Sequence, residues 1–224
     1  MASSRLDNGP ASATRLMSRS GLRRRAAVDG DGLVDTCGTG GDGKHTFNIS
    51  TAVAFVAAGA GVRVAKHGNR AVSSGCGSAD VLESLGIKVD LDPSAVAECI
   101  KQAGICFLFA PIFHTAMRHA VGPRKELGFR TIFNVLGPLA NPAGVERQVL
   151  GVFAPGLART MAQVLLDLGA KHALVVHGAG GTDELSLDGP NLVCECRDGQ
   201  LREYTVTPGE AGLDEAPLEA LVGG

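Results

Sequence analysis

The sequence predicts an α/β fold in which a largely parallel sheet is flanked by helices. From residue 33 onward, strand-like and helix-like segments alternate, which is typical of parallel strands joined by crossover helices. Two continuous apolar runs, residues 105–110 and 173–177, indicate strands that are buried on both faces. The chain has 224 residues, 45% of them hydrophobic, so one domain of this kind can bury a sizeable core.

The individual elements follow in order from their residue patterns. The apolar pair at residues 33–34 predicts the first strand, and Ser78 and Asp92 are predicted to cap the second and third helices. The other strands of the alternating part are predicted at residues 62–66, 87–91, 105–110, 148–153 and 173–177, and the helices at about 49–60, 79–85, 93–104, 115–127 and 157–168. Two later strands, residues 191–196 and 201–207, are predicted to pair across an Asp-Gly turn.

The chain is organised around residues 35–51, DTCGTGGDGKHTFNIST. Four of the six residues from Gly38 to Gly43 are glycine, so the backbone N–H groups of this loop can approach a ligand closely. The loop lies between a strand and the start of a helix. This layout binds phosphate on free N–H groups and at the positive end of the helix dipole.

Four interpretations of this glycine loop are open. A nucleotide-binding P-loop is nearly matched, but His45 stands where that motif needs a hydroxyl group for Mg²⁺. The dinucleotide pattern G-x-G-x-x-G is matched, but the second strand ends in the basic stretch 66–70 and offers no acidic residue for a ribose. A sugar phosphate that is anionic at both ends fits better, with Asp42 left for the ribose hydroxyls. A tight turn without a ligand is the fourth interpretation.

A second anion-binding segment is predicted at the end of the second strand, where residues 66–74 have the sequence KHGNRAVSS. Open α/β sheets bind ligands at the carboxyl ends of their strands. Lys66 and Arg70 supply positive charge. Hydroxyl groups follow at Ser73, Ser74 and Ser78. Although a polar surface loop is the alternative, two such strand ends favour a ligand with phosphate at two positions.

Two adjacent carboxylates, Asp183 and Glu184, follow the predicted strand at 173–177. Hard oxygen ligands beside a phosphate site suggest Mg²⁺, although a solvated acidic turn has the same pattern. His114, at the start of a predicted helix, is ambiguous on its own. No Ser-His-Asp or Cys-His spacing stands out, so the sequence does not indicate covalent catalysis and we assign no catalytic nucleophile.

Charge and cysteine content exclude several classes of protein. The net charge of −2 gives no general affinity for nucleic acid or for membrane surfaces. No apolar run reaches the ~18 residues that span a membrane. The six cysteines form no C-x-x-C pair, which favours reduced thiols and a cytoplasmic location.

Residues 1–28 differ from the rest of the chain. They carry six arginines against one aspartate, a net charge of +5, so that the remaining residues sum to −7. They lack the apolar segment of a secretory signal. We predict an Arg- and Ser-rich disordered tail over residues 1–29, with an organelle transit peptide as the alternative, followed by an α/β domain over residues 30–224.

The chain resembles the anthranilate phosphoribosyltransferases, which share a fold with the nucleoside phosphorylases. The resemblance runs from about residue 33 to residue 204 and rests on GTGGDG, FNIST, KHGNR-x-VSS-x-x-GSAD, F-x-P-x-F-H-x-A-M-R-H, F-N-x-LGPL-x-NPA and the DE pair after VVHG. It implies transfer of the 5-phosphoribosyl group from phosphoribosyl pyrophosphate to the amine of anthranilate, with release of pyrophosphate, in tryptophan biosynthesis. It also implies Mg²⁺ as a cofactor and a homodimer.

The resemblance also implies which residues bind each ligand. Ser50, Asp183 and Glu184 would ligate Mg²⁺. Anthranilate would be held by Gly38, Asn69 and Arg124, with His114 nearby. Phosphoribosyl pyrophosphate would be bound by Gly38, Gly41, Asp42, Thr46, Asn48, Ile49, Ser50, Thr51, Lys66, His67, Gly68, Asn69, Arg70, Ala71, Val72, Ser73, Ser74 and Ser78.

Two departures from the family pattern limit the expected architecture. Residues 1–28 do not resemble the helices with which family members begin, and family members continue beyond residue 224. We therefore expect the α/β domain without the small helical N-terminal domain and with an incomplete C-terminal part. A nucleoside phosphorylase of the same fold is the alternative enzyme, and it would carry a K-x-x-x-R/S arrangement in place of Arg124 and the F-x-P-x-x-H set. A non-catalytic relative that binds nucleic acid is the third hypothesis, which the charge of −7 after residue 28 disfavours.

Overall fold

The computed structural model describes residues 25, 26, 28, 32–71, 76–127 and 131–223, without the side chains of residues 121, 123–125 and 127. Of the predicted disordered tail, residues 25, 26 and 28 are described, and Ala26 is buried, with its N–H donating to Pro142 O (3.2 Å). The rest of the tail stays a prediction. The strands are β1 (Val34–Gly38), β2 (Val64–Gly68), β3 (Ile105–Phe109), β4 (Arg147–Gly151), β5 (His172–His177), β6 (Asn191–Arg197) and β7 (Gln200–Val206).

These strands form one seven-stranded sheet with the order β3-β2-β1-β4-β5-β6-β7. Strands β1 to β5 are parallel, and β6 and β7 are added antiparallel. The prediction of a largely parallel sheet flanked by helices is confirmed. The sheet grows outward from strand β1. The chain first adds β2 and β3 on one side of β1 and then β4 and β5 on the other side.

Helices and short turns connect the strands. The helices are α1 (Ile49–Gly59), α2 (Ser78–Ser84), α3 (Pro93–Ala103), α4 (Ala110–Phe113), α5 (Arg118–Leu127), α6 (Phe133–Leu136) and α7 (Gly156–Asp167). Helix α1 packs against β1 and β2, α3 against β3, and α7 against β5 and β6. In the described part of the chain, no helix is both long and apolar enough to cross a membrane.

Local residues set both ends of helix α3. Asp92 Oδ1 accepts hydrogen bonds from Ser94 N (2.8 Å) and Ala95 N (3.0 Å), and Pro93 occupies the first helical position. Gly104 ends the helix in the left-handed conformation, with φ of +71°. The buried side chains Val96 and Ile100 join a core cluster with Leu108 and Phe113. The predicted start and end of this helix are confirmed.

The predicted strand at 87–91 is wrong, because residues 87–91 pair with no strand. Its alternating pattern is satisfied without pairing, since Val89 packs against Leu82 of α2 and Phe107 of β3, whereas Ile87 remains 38% exposed. The predicted cap at Ser78 is also wrong, since Gly77 is the cap and Ser78 is the first residue of α2. The predicted helix 115–127 is a 3₁₀ turn at Thr115–Met117 followed by α5.

Strands β1 and β2 extend further than their apolar residues predict. The apolar pattern placed the second strand at 62–66, but β2 begins at Val64 and continues to Gly68. Strand β1 likewise continues to Gly38, through Asp35 and Thr36. The polar residues Thr36, Lys66 and His67 are both paired in the sheet and buried near its carboxyl edge, where the candidate ligand residues lie.

Candidate active site

Most of the predicted ligand residues that the structure describes lie at the carboxyl ends of β1, β2 and β5, next to β4. The direction in which the chain builds the sheet reverses between β1 and β4, and open α/β sheets bind ligands in the crevice at such a point. Thr39 N donates to Gly151 O (2.9 Å), and Phe153 N donates to Thr39 Oγ1 (3.1 Å). These bonds join the ends of β1 and β4 and fix the start of the glycine loop.

The glycine loop runs from the end of β1 to the start of α1. Gly40 and Gly41 have φ of +66° and +74°, a conformation that glycine adopts at little cost. Asn48 caps α1, because its Oδ1 accepts a hydrogen bond from Thr51 N (3.2 Å). The loop therefore arrives at the start of a helix as predicted. The other predicted ligand residues of this stretch lie just before the helix or in its first turn: Thr46, Ile49 and Ser50.

Asp183 is packed against the ends of β1 and β4. A Cβ at Gly38 would meet Asp183 Oδ2, and a Cβ at Gly151 would overlap the Asp183 carbonyl. Gly40 N donates to Asp183 Oδ2 (2.6 Å). Burial raises the pKa of Asp183 to about 6, and repulsion from Asp42 acts in the same direction. The structure thus places Asp183 against the glycine loop, close to Asp42.

Glu184 lies next to Asp183, where negative charge is also unfavourable. Burial raises the pKa of Glu184 to about 8, repulsion from Asp183 adds to the rise, and Lys66 opposes it. Among the described residues, no three His, Cys, Asp or Glu side chains are grouped so that they could hold a metal ion. A cation here would need further oxygen ligands, such as a hydroxyl group or the phosphates of a substrate.

Lys66 connects this acidic pair to β1 and α1. Its Nζ donates to Thr36 O (2.6 Å) and to Ser50 Oγ (3.0 Å), and its side chain is only 3% exposed. Burial lowers the pKa of Lys66, whereas Asp35 raises it. A hydrogen bond from the Ser50 backbone lowers the pKa of Glu184. Ser50, Lys66 and Glu184 therefore form one continuous polar group.

Two histidines meet at the end of β2. His67 Nε2 and His114 Nε2 lie 3.1 Å apart, and their rings meet edge to face with centroids 5.0 Å apart. His114 is thus brought to the strand end where anthranilate is expected. Asn69 is exposed beside them, and its Oδ1 accepts a hydrogen bond from Arg70 N (2.8 Å). Only the backbone of Arg124 is described, within α5, so its contact with anthranilate stays a prediction.

The remaining residues of the second predicted anion-binding segment lie at the end of β2, at the start of α2, and in a stretch that the structure does not describe. Gly68 ends β2, and Ser78 begins α2. Ala71 N donates to a carboxylate of α2, and the Arg70 guanidinium is paired with the same helix. The predicted ligands Val72, Ser73 and Ser74 lie outside the described residues.

A buried polar group next to the site is not predicted by the sequence patterns. Asp35 is fully buried in β1, where its Oδ1 accepts from His67 N (3.1 Å) and its Oδ2 accepts from Asn141 Nδ2 (2.8 Å). Asn141 Nδ2 also donates to Ala65 O (2.9 Å). The group ties β1 and β2 to the loop after α6. A carboxylate within a strand was the available signal, because a buried charge requires partners.

Asn141→Ala is expected to lower the free energy of unfolding by ~1–3 kcal/mol at pH 7, because Asp35 and the Ala65 carbonyl lose a buried donor. Burial already raises the pKa of Asp35 to about 6, so the folded protein binds this proton more tightly than the unfolded chain does. The contribution of Asp35 to stability therefore falls as the pH rises from about 4 to about 6. Loss of Asn141 raises the folded pKa further, so the variant should lose more stability at pH 7 than at pH 5.

Denaturant unfolding at both pH values measures this effect. The matched control is Asn134→Ala, which removes one side-chain acceptor from Thr131 N (2.9 Å) and does not touch Asp35. If Asn141→Ala lowers the free energy of unfolding equally at pH 5 and pH 7, Asn141 does not stabilise the charged form of Asp35.

Comparisons with known proteins identify the family to which this chain belongs. Residues 30–224 match the family model described as the glycosyl transferase family, a/b domain. The anthranilate phosphoribosyltransferase of Pelotomaculum thermopropionicum is 62% identical over 192 residues, which cover 86% of this chain and 56% of that protein. The chain therefore spans little more than half the length of this curated relative.

Solved structures show the same relation. The crystal structure of anthranilate phosphoribosyltransferase from Thermus thermophilus matches with a TM-score of 0.86 and 52% identity, over 96% of this chain and 63% of that chain. The Saccharomyces cerevisiae enzyme in complex with PRPP and Mg matches with a TM-score of 0.79 and 31% identity, over 97% and 60%. The same yeast enzyme in complex with 4-fluoroanthranilate matches with a TM-score of 0.81 and 32% identity, over 97% and 60%.

Proposed function

The chain belongs to the glycosyl transferase family that is defined by this a/b domain, and from this we propose that it transfers the 5-phosphoribosyl group of phosphoribosyl pyrophosphate to the amine of anthranilate. One observation carries the proposal. The Asp183–Glu184 pair lies between the glycine loop and the Ser50–Lys66 contact, at the crevice between β1 and β4. A glycine loop suited to phosphate and an acidic pair suited to a cation are thus combined at one strand end.

Phosphoribosyl pyrophosphate suits this crevice because it is anionic at both ends. The glycine loop and the first turn of α1 offer backbone N–H groups and hydroxyls at one strand end. The proposed second contact lies at the end of β2 and in the residues that follow it, from Lys66 to Ala71, where the side chain of Asn69 is exposed. Asp42 is only partly buried and is the proposed acceptor for the ribose hydroxyls. The complex of the yeast enzyme with PRPP and Mg supports this choice of ligand.

Asp183, Glu184 and the Ser50 hydroxyl are the proposed ligands of Mg²⁺. The donor set fits a hard cation, since it consists of oxygen atoms and includes two carboxylates whose pKa values burial raises to about 6 and about 8. When bound, Mg²⁺ supplies the positive charge that stabilises the departing pyrophosphate. The side chain of Lys66 orients Ser50 toward this position through the hydrogen bond to its Oγ.

The reaction itself asks little acid–base chemistry of the protein. The bond between the ribose carbon C1 and pyrophosphate breaks, the leaving group takes the bonding electrons, and a new bond forms from C1 to the anthranilate nitrogen. That nitrogen then loses a proton to solvent. The aromatic amine is neutral near pH 7, so no strong general base is needed. The difficult part is the positive charge that develops at C1, as in other glycosyl transfers. The protein accelerates the reaction by holding both reactants in line. No side chain is assigned as a nucleophile.

Arg124→Ala is expected to weaken the use of anthranilate about 10- to 150-fold, because a hydrogen bond to a charged carboxylate contributes ~1.5–3 kcal/mol. Binding of phosphoribosyl pyrophosphate should be nearly unaffected. Arg124→Lys should rescue only in part, since an ammonium group cannot reproduce the planar fork of arginine. The measurement is the pair of Michaelis constants, with Arg118→Ala on the same helix as the control, because its exposed guanidinium contacts His119. An anthranilate constant within twofold of the parent value would mean that another group holds the carboxylate.

Calorimetry with phosphoribosyl pyrophosphate tests the ligand assignment. We expect binding that requires Mg²⁺, together with much weaker binding of ribose 5-phosphate or of pyrophosphate alone, because each fragment occupies one of the two strand ends. Equal affinity for the whole ligand and for one fragment would contradict a two-ended site. A homodimer and a cytoplasmic location are further expectations for the protein, and neither enters this measurement.

A further inference from the structure

Asp80 bonds to the chain on both sides of residues 72–75. Its Oδ2 accepts hydrogen bonds from Ala71 N (2.9 Å) and from Gly77 N (2.8 Å), and its Oδ1 accepts from Arg70 Nη1 (3.2 Å). The two backbone donors hold the pKa of Asp80 below its usual range, so the carboxylate is charged at neutral pH. One carboxylate therefore joins the segment that leaves β2 to the segment that enters α2.

The two segments are in direct contact where Asp80 joins them. A Cβ at Gly77 would overlap the backbone of Arg70 and Ala71 and would lie 2.9 Å from Asn69 O. Ala79 N donates to the same Asn69 carbonyl (3.2 Å). We call the contact between residues 69–71 and 77–80 the neck. Asn69, a predicted ligand of both substrates, lies at one end of it.

The half-exposed Arg70 guanidinium is paired with two carboxylates of α2. It forms a double hydrogen bond with Glu83, at 2.5 Å and 2.7 Å, in addition to its contact with Asp80. Its central carbon lies 5.6 Å from the centroid of the Phe109 ring. Exposed ion pairs of this kind contribute little to the free energy of unfolding. Their effect here is to hold the Arg70 side chain against α2.

We propose that Asp80 is a positioning residue for the phosphoribosyl pyrophosphate site, because it closes the neck and thereby fixes Asn69 at the end of β2. Arg70 takes part through its backbone and braces Asp80 and Glu83 with its side chain. This role rests on the proposed function. For the affinity of the site for phosphoribosyl pyrophosphate, a positioning role for Asp80 predicts the opposite of simple charge repulsion. Removal of a carboxylate near an anionic ligand should strengthen binding by Coulomb's law alone, whereas loss of the neck should weaken it.

The test compares Asp80→Ala, Asp80→Asn and the matched control Asp92→Ala. Asp92 also accepts two backbone N–H groups at a helix start, but those donors are Ser94 and Ala95 of α3. Two quantities are measured: hydrogen exchange of the Ala71 and Gly77 amides without ligand, and the dissociation constant for phosphoribosyl pyrophosphate with Mg²⁺ by calorimetry.

Asp80→Ala should speed exchange at both amides about 10-fold or more and should weaken binding about 10-fold. Asp80→Asn keeps one oxygen that can accept both N–H groups, so it should recover binding to within about threefold of the parent. Asp92→Ala should leave the dissociation constant within twofold. Unchanged or tighter binding by Asp80→Ala would overturn the positioning role. A parent chain that binds no phosphoribosyl pyrophosphate would overturn the proposed function itself, and the role of Asp80 with it.

Discussion

Asp183→Asn combined with Glu184→Gln is expected to weaken Mg²⁺-dependent binding of phosphoribosyl pyrophosphate about 100-fold or more. Each carboxylate in a charge-assisted contact contributes ~1.5–3 kcal/mol, and the double variant removes two of them. Stability should not fall in parallel. Burial raises the pKa of both carboxyl groups, so their charge is unfavourable in the folded protein, and neutral amides relieve that cost. Loss of binding with unchanged or increased stability is the expected signature of a metal site.

Asp214→Asn with Glu215→Gln is the matched control, because this adjacent Asp-Glu pair is exposed. It should leave the dependence on Mg²⁺ unchanged. Titration of Mg²⁺ at fixed phosphoribosyl pyrophosphate compares the three proteins. If the Asp183–Glu184 variant shows the same Mg²⁺ midpoint as the parent, the pair does not belong to the metal site.

Lys66→Met is expected to lower the free energy of unfolding by ~2–4 kcal/mol. The ammonium group is the donor to the buried Thr36 carbonyl and to Ser50 Oγ. Methionine fills a similar volume but leaves both acceptors without this donor, and it removes the positive charge that offsets Asp35 and Glu184. Binding of phosphoribosyl pyrophosphate should weaken as well, because Ser50 loses its orientation.

Denaturant unfolding of Lys66→Met is to be compared with Lys101→Met, since Lys101 makes only an exposed ion pair with Glu98 at 3.8 Å. The control should lie within ~0.5 kcal/mol of the parent. A loss below ~1 kcal/mol for Lys66→Met would show that solvent replaces the ammonium group, and that the strand end is more open than its burial indicates.

The parallel sheet could be predicted because its strands and crossover helices leave strong local patterns. Val34, Val64 and Ile105 begin strands whose apolar runs are visible in the sequence, and Asp92 with Gly104 marks both ends of α3. The strand ends are harder to predict, since Asp35, Lys66 and His67 are polar but remain paired within the sheet. Residues 87–91 mislead for the opposite reason, because an alternating pattern can bury Val89 against side chains without any backbone pairing.

The site could be located from the sequence, but the contacts between its residues could not. The glycine loop and the Asp183–Glu184 pair stand out by composition, and the family resemblance links them. The bond between Asp35 and Asn141 joins positions 106 residues apart, and no local pattern encodes it. Asp80 resembles an ordinary acidic residue in the first turn of a helix, and only the structure shows its bonds to Ala71 and Gly77.

The fluorescence of anthranilate, followed after addition of the 224-residue chain, tests the proposed reaction most directly. We expect loss of anthranilate fluorescence only when phosphoribosyl pyrophosphate and Mg²⁺ are both present, with one pyrophosphate released for each anthranilate consumed. Unchanged fluorescence at saturating phosphoribosyl pyrophosphate and Mg²⁺, or phosphate-dependent cleavage of a nucleoside in its place, would contradict the proposed reaction.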